Sequence, residues 1–189
     1  MRLFEIAKKP TLYLDMDGVM CDFFGEWARS QGVGHYKQIP KNEIAASLDR
    51  IGQDAEEFFA TLPMLPGAEQ LLRAAHAYGG YTILSSPLER NEEPSRAGKR
   101  RWINTHLGSY PPDDVIFERN KARYANKNGT RNILIDDYGV NVVAWQDAGG
   151  LAFKHRYKDT AATIEWLKGQ QDEITQNASA PVTGTPRPL

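Results

Sequence analysis

Hydrophobic and polar positions follow two different periods along this chain. Five short, continuous apolar runs recur, at Leu12-Tyr-Leu14, Tyr81-Thr-Ile-Leu84, Val115-Ile-Phe117, Ile133-Leu-Ile135 and Leu151-Ala-Phe153. Each has the length and residue types of a buried strand. The stretches between them place apolar residues at helical spacing. Residues 66–79 carry Leu71, Leu72, Ala75 and Tyr78 on one face, with Pro66 near the start and Gly79-Gly80 at the end, the usual asymmetry of a helix. Helices are predicted likewise from Ser95 to Leu107, from Asn141 to Ala148 and from Thr160 to Gly169, the last with Ile164 and Leu167 inward. Residues 88–95 read as a polar loop, and Lys121 begins a helical turn. Strands alternating with helices predict an α/β fold: a Rossmann-like parallel sheet of about five strands with helices on both faces.

One segment breaks the alternation. Residues 22–64 contain no clear strand. A helix is predicted from Asp22 to Gly32, a second from Lys41 to Ile51, and a third after Asp54, which can serve as its N-cap. That is too long for an ordinary strand-to-helix loop, so it reads as a small inserted helical cap. The expected organisation is a core of residues 1–20 and 65–169, a cap of residues 21–64, and a tail, residues 170–189, whose polar and then Pro/Thr/Gly-containing sequence predicts disorder.

Composition narrows the partners. At 189 residues, with 41% hydrophobic and 25% charged, the chain suits one domain carrying a small insert. A net charge of -1 gives no global attraction to nucleic acid or to an anionic membrane, so a small-molecule partner is expected; a homodimer is left open. The single cysteine, Cys21, excludes an intramolecular disulfide and a cysteine-rich zinc site. Residues 1–10 lack a signal-peptide core and no apolar run is long enough to span a bilayer, which sets cytoplasmic localisation as the expectation.

Candidate chemistry sits where strands end. The first run leads into Asp15-Met-Asp17-Gly18, the second into Ser85-Ser86, the fourth into Asp136-Asp137. Taken alone, Asp-x-Asp-Gly also describes a hairpin turn. In a parallel sheet, however, those ends lie on one edge, where open α/β sheets bind ligands. Asp15, Asp136 and Asp137 offer hard oxygen ligands suited to Mg²⁺; four histidines without paired spacing argue against zinc. One carboxylate can attack phosphorus while Asp17 moves a proton, Ser85 donates to phosphoryl oxygens, and Lys121 adds positive charge. Lys99, in the basic run of residues 96–101, and Arg119 are further candidates against a solvated-face reading. Phe23, just past the Asp loop, can pack in the core or stack on a base.

The order Asp15-Met-Asp17-Gly-Val, Ser85, Lys121, Ile-Asp136-Asp137 resembles the four motifs of haloacid dehalogenase superfamily phosphatases. The stretches Asp15-Met-Asp-Gly-Val-Met-Cys-Asp-Phe23, Ser85-Ser86-Pro87, Lys99-Arg-Arg-Trp102 and Arg119-Asn-Lys121 are similar to those of the 5'(3')-deoxyribonucleotidase family, with Ser85 and Asn120 standing where Thr and Asp are usual. The resemblance implies a Mg²⁺-dependent phosphomonoesterase acting on (deoxy)nucleoside monophosphates. It implies Asp15 as nucleophile forming an aspartyl-phosphate and Asp17 as acid and then base. Phosphate would be held by Ser85, Ser86, Lys121 and Lys99, and the nucleoside by Phe23 and Arg119. The metal would be held by Asp15, Asp17 (through its carbonyl), Asp136 and Asp137. Two alternatives stand beside it: a phosphatase for another small ester or a nucleic-acid end, and a non-catalytic phosphate-binding module.

Overall fold

The computed structural model describes residues 9–179. The chain runs β1 (Leu12–Leu14), α1 (Phe23–Ser30), α2 (Ile44–Gly52), α3 (Ala55–Ala60), α4 (Ala68–Tyr78), β2 (Thr82–Ser85) and α5 (Glu92–His106). It continues through β3 (Asp114–Phe117), a small antiparallel pair β4 (Asn126–Lys127) and β5 (Thr130–Arg131), β6 (Ile133–Asp136), α6 (Gly139–Asp147), β7 (Leu151–Lys154) and α7 (Thr160–Ser179). Five strands form a parallel sheet in the order β3-β2-β1-β6-β7. The chain builds outward from β1 in one direction and later in the other. The carboxyl end of β1 is therefore the point where the connections diverge and a crevice opens.

Side-chain alternation along the strands separates two apolar layers. Leu12, Leu14, Ile83, Ile133 and Ile135 join the larger cluster, with Leu71, Leu72 and Ala75 of α4, Trp102 of α5 and Leu167 of α7. Tyr13, Leu84 and Leu134 face the other way, onto Trp145 of α6 and Ala125. Covered on both faces, these strands read as continuous apolar runs.

Residues 22–64 hold α1, α2, α3 and two single 3₁₀ turns, Tyr36–Gln38 and Lys41–Glu43. The segment leaves and re-enters at adjacent points: Asp22 N–H donates to the Pro63 carbonyl and Leu65 N–H to that of Met20, both at 2.9 Å. Asp22 also caps α1, its carboxylate accepting the Gly25 N–H at 2.9 Å. Inside, Phe23 packs in an aromatic group with Trp27, Phe58 and Phe59. Gly98 marks where α5 crosses α3: a Cβ there would press into the Glu56 carbonyl and lie 2.9 Å from Phe59 Cβ.

Three local expectations need correction. Helix α5 begins at Glu92, not at Ser95. Pro94 is tolerated because it falls in the first turn, where backbone N–H groups have no intrahelical acceptor. Ser95 instead ties the preceding loop, its hydroxyl accepting from Leu88 N–H at 3.1 Å and donating to Glu92 O at 2.8 Å. Asp54 occupies the N-cap of α3 but makes no side-chain capping bond. The last helix continues through Gly169 to Ser179, so residues 170–179 are helical where disorder was expected. Ile174 packs with Ile164 and Leu167 on the core, which offsets the roughly 1 kcal/mol that a helical glycine costs. The rest of the expected tail, residues 180–189, and residues 1–8 of the 1–10 stretch expected to lack a signal-peptide core lie outside the described residues. Among the described residues no helix is long and apolar enough to cross a membrane.

Candidate active site

Each strand end delivers its group to the same edge. Asp15 follows β1, and its N–H is held by the Ile135 carbonyl of β6 at 2.9 Å. Asp136 closes β6, and Ser85 closes β2. Lys121 opens the 3₁₀ turn Lys121–Tyr124 that follows β3. Its ammonium lies 2.8 Å from Asp15 Oδ1 and 2.6 Å from Asp136 Oδ2. Lys99 enters from the middle of α5 and donates to Asp17 Oδ2 at 2.6 Å, Ser85 Oγ at 2.8 Å and the Ser86 carbonyl at 3.1 Å. The Phe59 ring lies 4.8 Å from the same ammonium. Both lysines are buried, at 0% and 3% exposure for Lys99 and Lys121. A lysine is seldom buried without a carboxylate to meet it.

The two acids of the last strand end have separate environments. Asp136 is saturated with donors: Lys121, Asn141 Nδ2 at 2.9 Å and the Tyr138 N–H at 2.8 Å, the last from the start of α6. Among the described residues no donor reaches the Asp137 carboxylate. Burial, together with Asp15, Asp136 and Asp17 nearby, pushes Asp137 up to about 8. Burial likewise raises Asp17 and Asp136 above the usual carboxylate range, each against the pull of its lysine. For Lys121, burial works against the charge, but Asp15 and Asp136 outweigh it and raise its pKa.

These groups fit a divalent cation. Carboxylate oxygens of Asp15, Asp136 and Asp137 lie within 4.8 Å of one another. Four carboxylates face two ammonium groups, so full ionisation would leave two negative charges without a partner in a buried place. An undonated Asp137 with a strongly raised pKa marks where positive charge is wanted. The donor set is all oxygen, which suits a hard cation.

Gly18 makes the cluster possible. Its backbone is left-handed, φ 75°, and a Cβ would fall 2.5 Å from Asp137 Oδ2 and 2.9 Å from Phe24 Cε2. A cavity of about 550 Å³ opens beside this contact, walled by Gly18, Asp137, Phe24 and Tyr36 on one side.

Of the residues singled out from sequence, Asp15, Asp17, Ser85, Lys99, Lys121, Asp136 and Asp137 are brought together. Ser86 joins through its carbonyl, while its hydroxyl turns to Glu118 O at 3.4 Å. Two are placed elsewhere. Phe23 is core, and its neighbour Phe24 lines the cavity. Arg119 stands on the exposed rim, donating to the Leu88 carbonyl at 2.7 Å and facing Glu92 at 3.6 Å. Sequence reasoning missed Asn141. An amide five residues after a strand-end acid, in the first turn of the next helix, is the signal that points to it.

The profile of the family described as "5' nucleotidase, deoxy (Pyrimidine), cytosolic type C protein" matches residues 9–168. A search of curated proteins finds no match. Among solved structures, the chain is similar to a hydrolase from Streptococcus pneumoniae TIGR4, at 16% identity and TM-score 0.44, over 78% of this chain and 94% of that one. It is also similar to a dehalogenase, at 12% identity and TM-score 0.46, over 77% and 84% respectively.

Proposed function

The chain belongs to the cytosolic type C 5'-deoxynucleotidase family of haloacid dehalogenase-like hydrolases, and from that premise we propose a Mg²⁺-dependent phosphomonoesterase that converts (deoxy)nucleoside monophosphates to nucleoside and phosphate. The carrying observation is the convergence of Asp15, Asp17, Asp136 and Asp137 with two buried lysines on one sheet edge.

Asp15 is the nucleophile in this reading. Its Oδ1 is held by the Met16 N–H at 2.7 Å and by Lys121, which leaves Oδ2 to attack phosphorus. The phosphorus–ester bond breaks as the aspartyl-phosphate forms, and the leaving oxygen takes the proton of Asp17. Burial favours the protonated form of Asp17, as an acid requires. Asp17 then takes a proton from water, whose oxygen attacks phosphorus and releases Asp15. Ser85 accepts from Lys99 and so has its own hydroxyl proton free for a phosphoryl oxygen. Asp15 and Asp137 would hold Mg²⁺, with the Asp17 carbonyl, while Asp136 positions Lys121. The bound cation would neutralise charge on the transferred phosphoryl group.

Residues 21–64 would cover the cleft as a cap, which favours small substrates over polymers. Location in the cytosol follows the family's description and forms part of the proposal. The Asp15→Asn variant should lose at least about 10³-fold in turnover with Mg²⁺ present, comparable to the loss of a central catalytic group, while its melting curve is kept. Wild-type turnover in that variant would overturn the mechanism, and a panel of ribo- and deoxynucleoside 5'- and 3'-monophosphates would define the substrate.

A further inference from the structure

The cavity beside Asp137 has a second wall that the mechanism above does not use. Lys37 reaches it from the 3₁₀ turn Tyr36–Gln38, and Lys154, Arg156 and Lys158 from the end of β7 and the turn after it. All four are exposed, and among the described residues none forms an ion pair with a carboxylate. Other surface cations are mixed: Arg29, Arg73, Arg90, Arg101 and Arg123 each reach an acid, while Arg50 and Arg131 bond to neutral oxygens of Gln31 and Gly149. The two acids that face the cavity are Asp22 and Asp137. Asp22 is committed to the α1 N-terminus, and Asp137 to the carboxylate cluster. Four cations without a carboxylate partner thus line one cavity, and the acids in its wall are engaged elsewhere.

Between that wall and the carboxylates lies an aromatic surface. Tyr36 is stacked on His35 and tilted against Phe24, both with ring centroids 4.7 Å apart. Such a surface suits a base or sugar face. The volume, about 550 Å³, is that of a small-ligand site.

We propose that this cavity receives a second phosphate on the substrate, so that nucleoside bisphosphates are used in preference to monophosphates. This rests on the phosphatase reading of the neighbouring carboxylates. A mononucleotide brings one phosphate, which the Asp15 centre consumes, and it leaves four cations without an anion. A bisphosphate spans both places: one phosphate at Asp15, the nucleoside along Phe24 and Tyr36, the other phosphate among Lys37, Arg156 and Lys158. The reaction is then hydrolysis of one ester. Water supplies the oxygen to the departing phosphate and the proton to the alcohol, and a nucleoside monophosphate is the product.

Thymidine 3',5'-bisphosphate and thymidine 5'- and 3'-monophosphates separate the possibilities. The bisphosphate should show a KM at least tenfold lower than either monophosphate, with kcat little changed. The triple variant Lys37→Ala/Arg156→Ala/Lys158→Ala should erase that preference and leave monophosphate kinetics as they were; Arg156→Glu alone should reverse most of it. Calorimetric binding to the Asp15→Asn protein should show the same preference, falling steeply with salt. Turnover of monophosphates with no preference for the bisphosphate, or a preference that survives in the triple variant, overturns this inference alone. Turnover of none of the three overturns the phosphatase reading and this inference with it. Inorganic phosphate altering monophosphate turnover through the same three residues would make the cavity a regulatory anion site, and the proposal would fall.

Discussion

Two buried ammonium groups organise the sheet edge, and they are held in opposite ways. Lys121 comes from a turn next to the sheet and bridges two carboxylates, Asp15 and Asp136, that themselves end β1 and β6. Asp136 is further braced by α6 through Asn141 and the Tyr138 N–H, and its carbonyl by the His155 N–H at 2.9 Å. Lys99 meets one carboxylate, Asp17, and otherwise neutral oxygens of Ser85 and Ser86. It comes from α5, whose other side is packed on α3 at Gly98 and touches Phe59. The proposed nucleophile is thus anchored to the sheet and, through Asp136, to α6, with no part of residues 22–64 involved. The proposed acid is anchored to a helix that leans on the inserted segment. Attack and proton transfer are fastened to different parts of the fold, so the two can be disturbed separately.

The largest effect should come from Lys121→Met. It leaves Asp15 and Asp136 buried and facing each other with no ammonium between them, and breaking a buried pair by removing one partner costs about 3–5 kcal/mol. Urea denaturation of the metal-free protein should show that loss, and turnover should vanish with every substrate. Stability within about 1 kcal/mol of wild type would show that the sheet does not need this bridge. Lys99→Met should cost less, about 1–3 kcal/mol, because one carboxylate and a hydroxyl are left rather than two carboxylates. Its signature is selective: turnover of a nucleotide, whose alkoxide leaves poorly, should fall roughly 10²-fold, within the range for general acid catalysis. An aryl phosphate, whose leaving group needs no proton, should fall far less. Equal losses on both substrates would erase the distinction between the two lysines.

Much of this edge was legible from sequence, for a reason that also explains what was hidden. An apolar run followed by acids or hydroxyls is a local signal, and in a parallel sheet local signals converge without further information. That is why Asp15, Ser85 and Asp136 could be placed together. Lys99 was harder, because it sits in a run of Arg and Lys that resembles a solvated face. Its one local clue is Trp102, three residues on and therefore on the same side of the helix; Trp102 is fully buried and donates to Leu62 O at 2.7 Å. Phe23 and Phe24 could not be told apart, since adjacent helical residues point about 100° apart and only packing against Phe58, Phe59 and Tyr36 decides which one faces the cavity. The start of α5 was misplaced because a proline in a first turn looks, in sequence, like a proline in a loop.

A smaller perturbation reaches the Lys99 side through the inserted segment. Gly98→Ala forces α3 away from α5, because the new methyl group meets the Glu56 carbonyl and Phe59 Cβ. Overpacking of this kind costs about 1–3 kcal/mol. Hydrogen exchange should quicken in α3 and α5 while β1 and β6 stay protected, and nucleotide turnover should fall more than aryl phosphate turnover. Uniform loss of protection would mean that the segment and the sheet are one cooperative unit.

The smallest effect at neutral pH concerns the opposite side. His155 is buried beside Thr163 of α7, 2.8 Å from its hydroxyl, and burial lowers its pKa to about 4 from the usual 6.5. A base whose folded pKa is depressed binds its proton more readily when the chain is unfolded. Stability is therefore intact above about 6.5 and falls as pH drops from there toward 4; by pH 5 the loss is about 2 kcal/mol. His155→Asn keeps a polar partner for Thr163 and removes the titration, so the variant should gain on wild type steadily as pH falls and should nearly match it at pH 7. The difference between the two urea curves isolates this one group from the carboxylates that titrate in both proteins. Because the His155 backbone braces Asp136 and has no contact with Lys99, acid should loosen the proposed nucleophile's anchor first: both turnovers should decline in the wild type relative to the variant, while the ratio of nucleotide to aryl phosphate turnover, set by Asp17, follows the same pH curve in the two proteins. A ratio that changes with pH in the wild type but not in the variant would tie His155 to the proton-transfer side and dissolve the division between the two lysines.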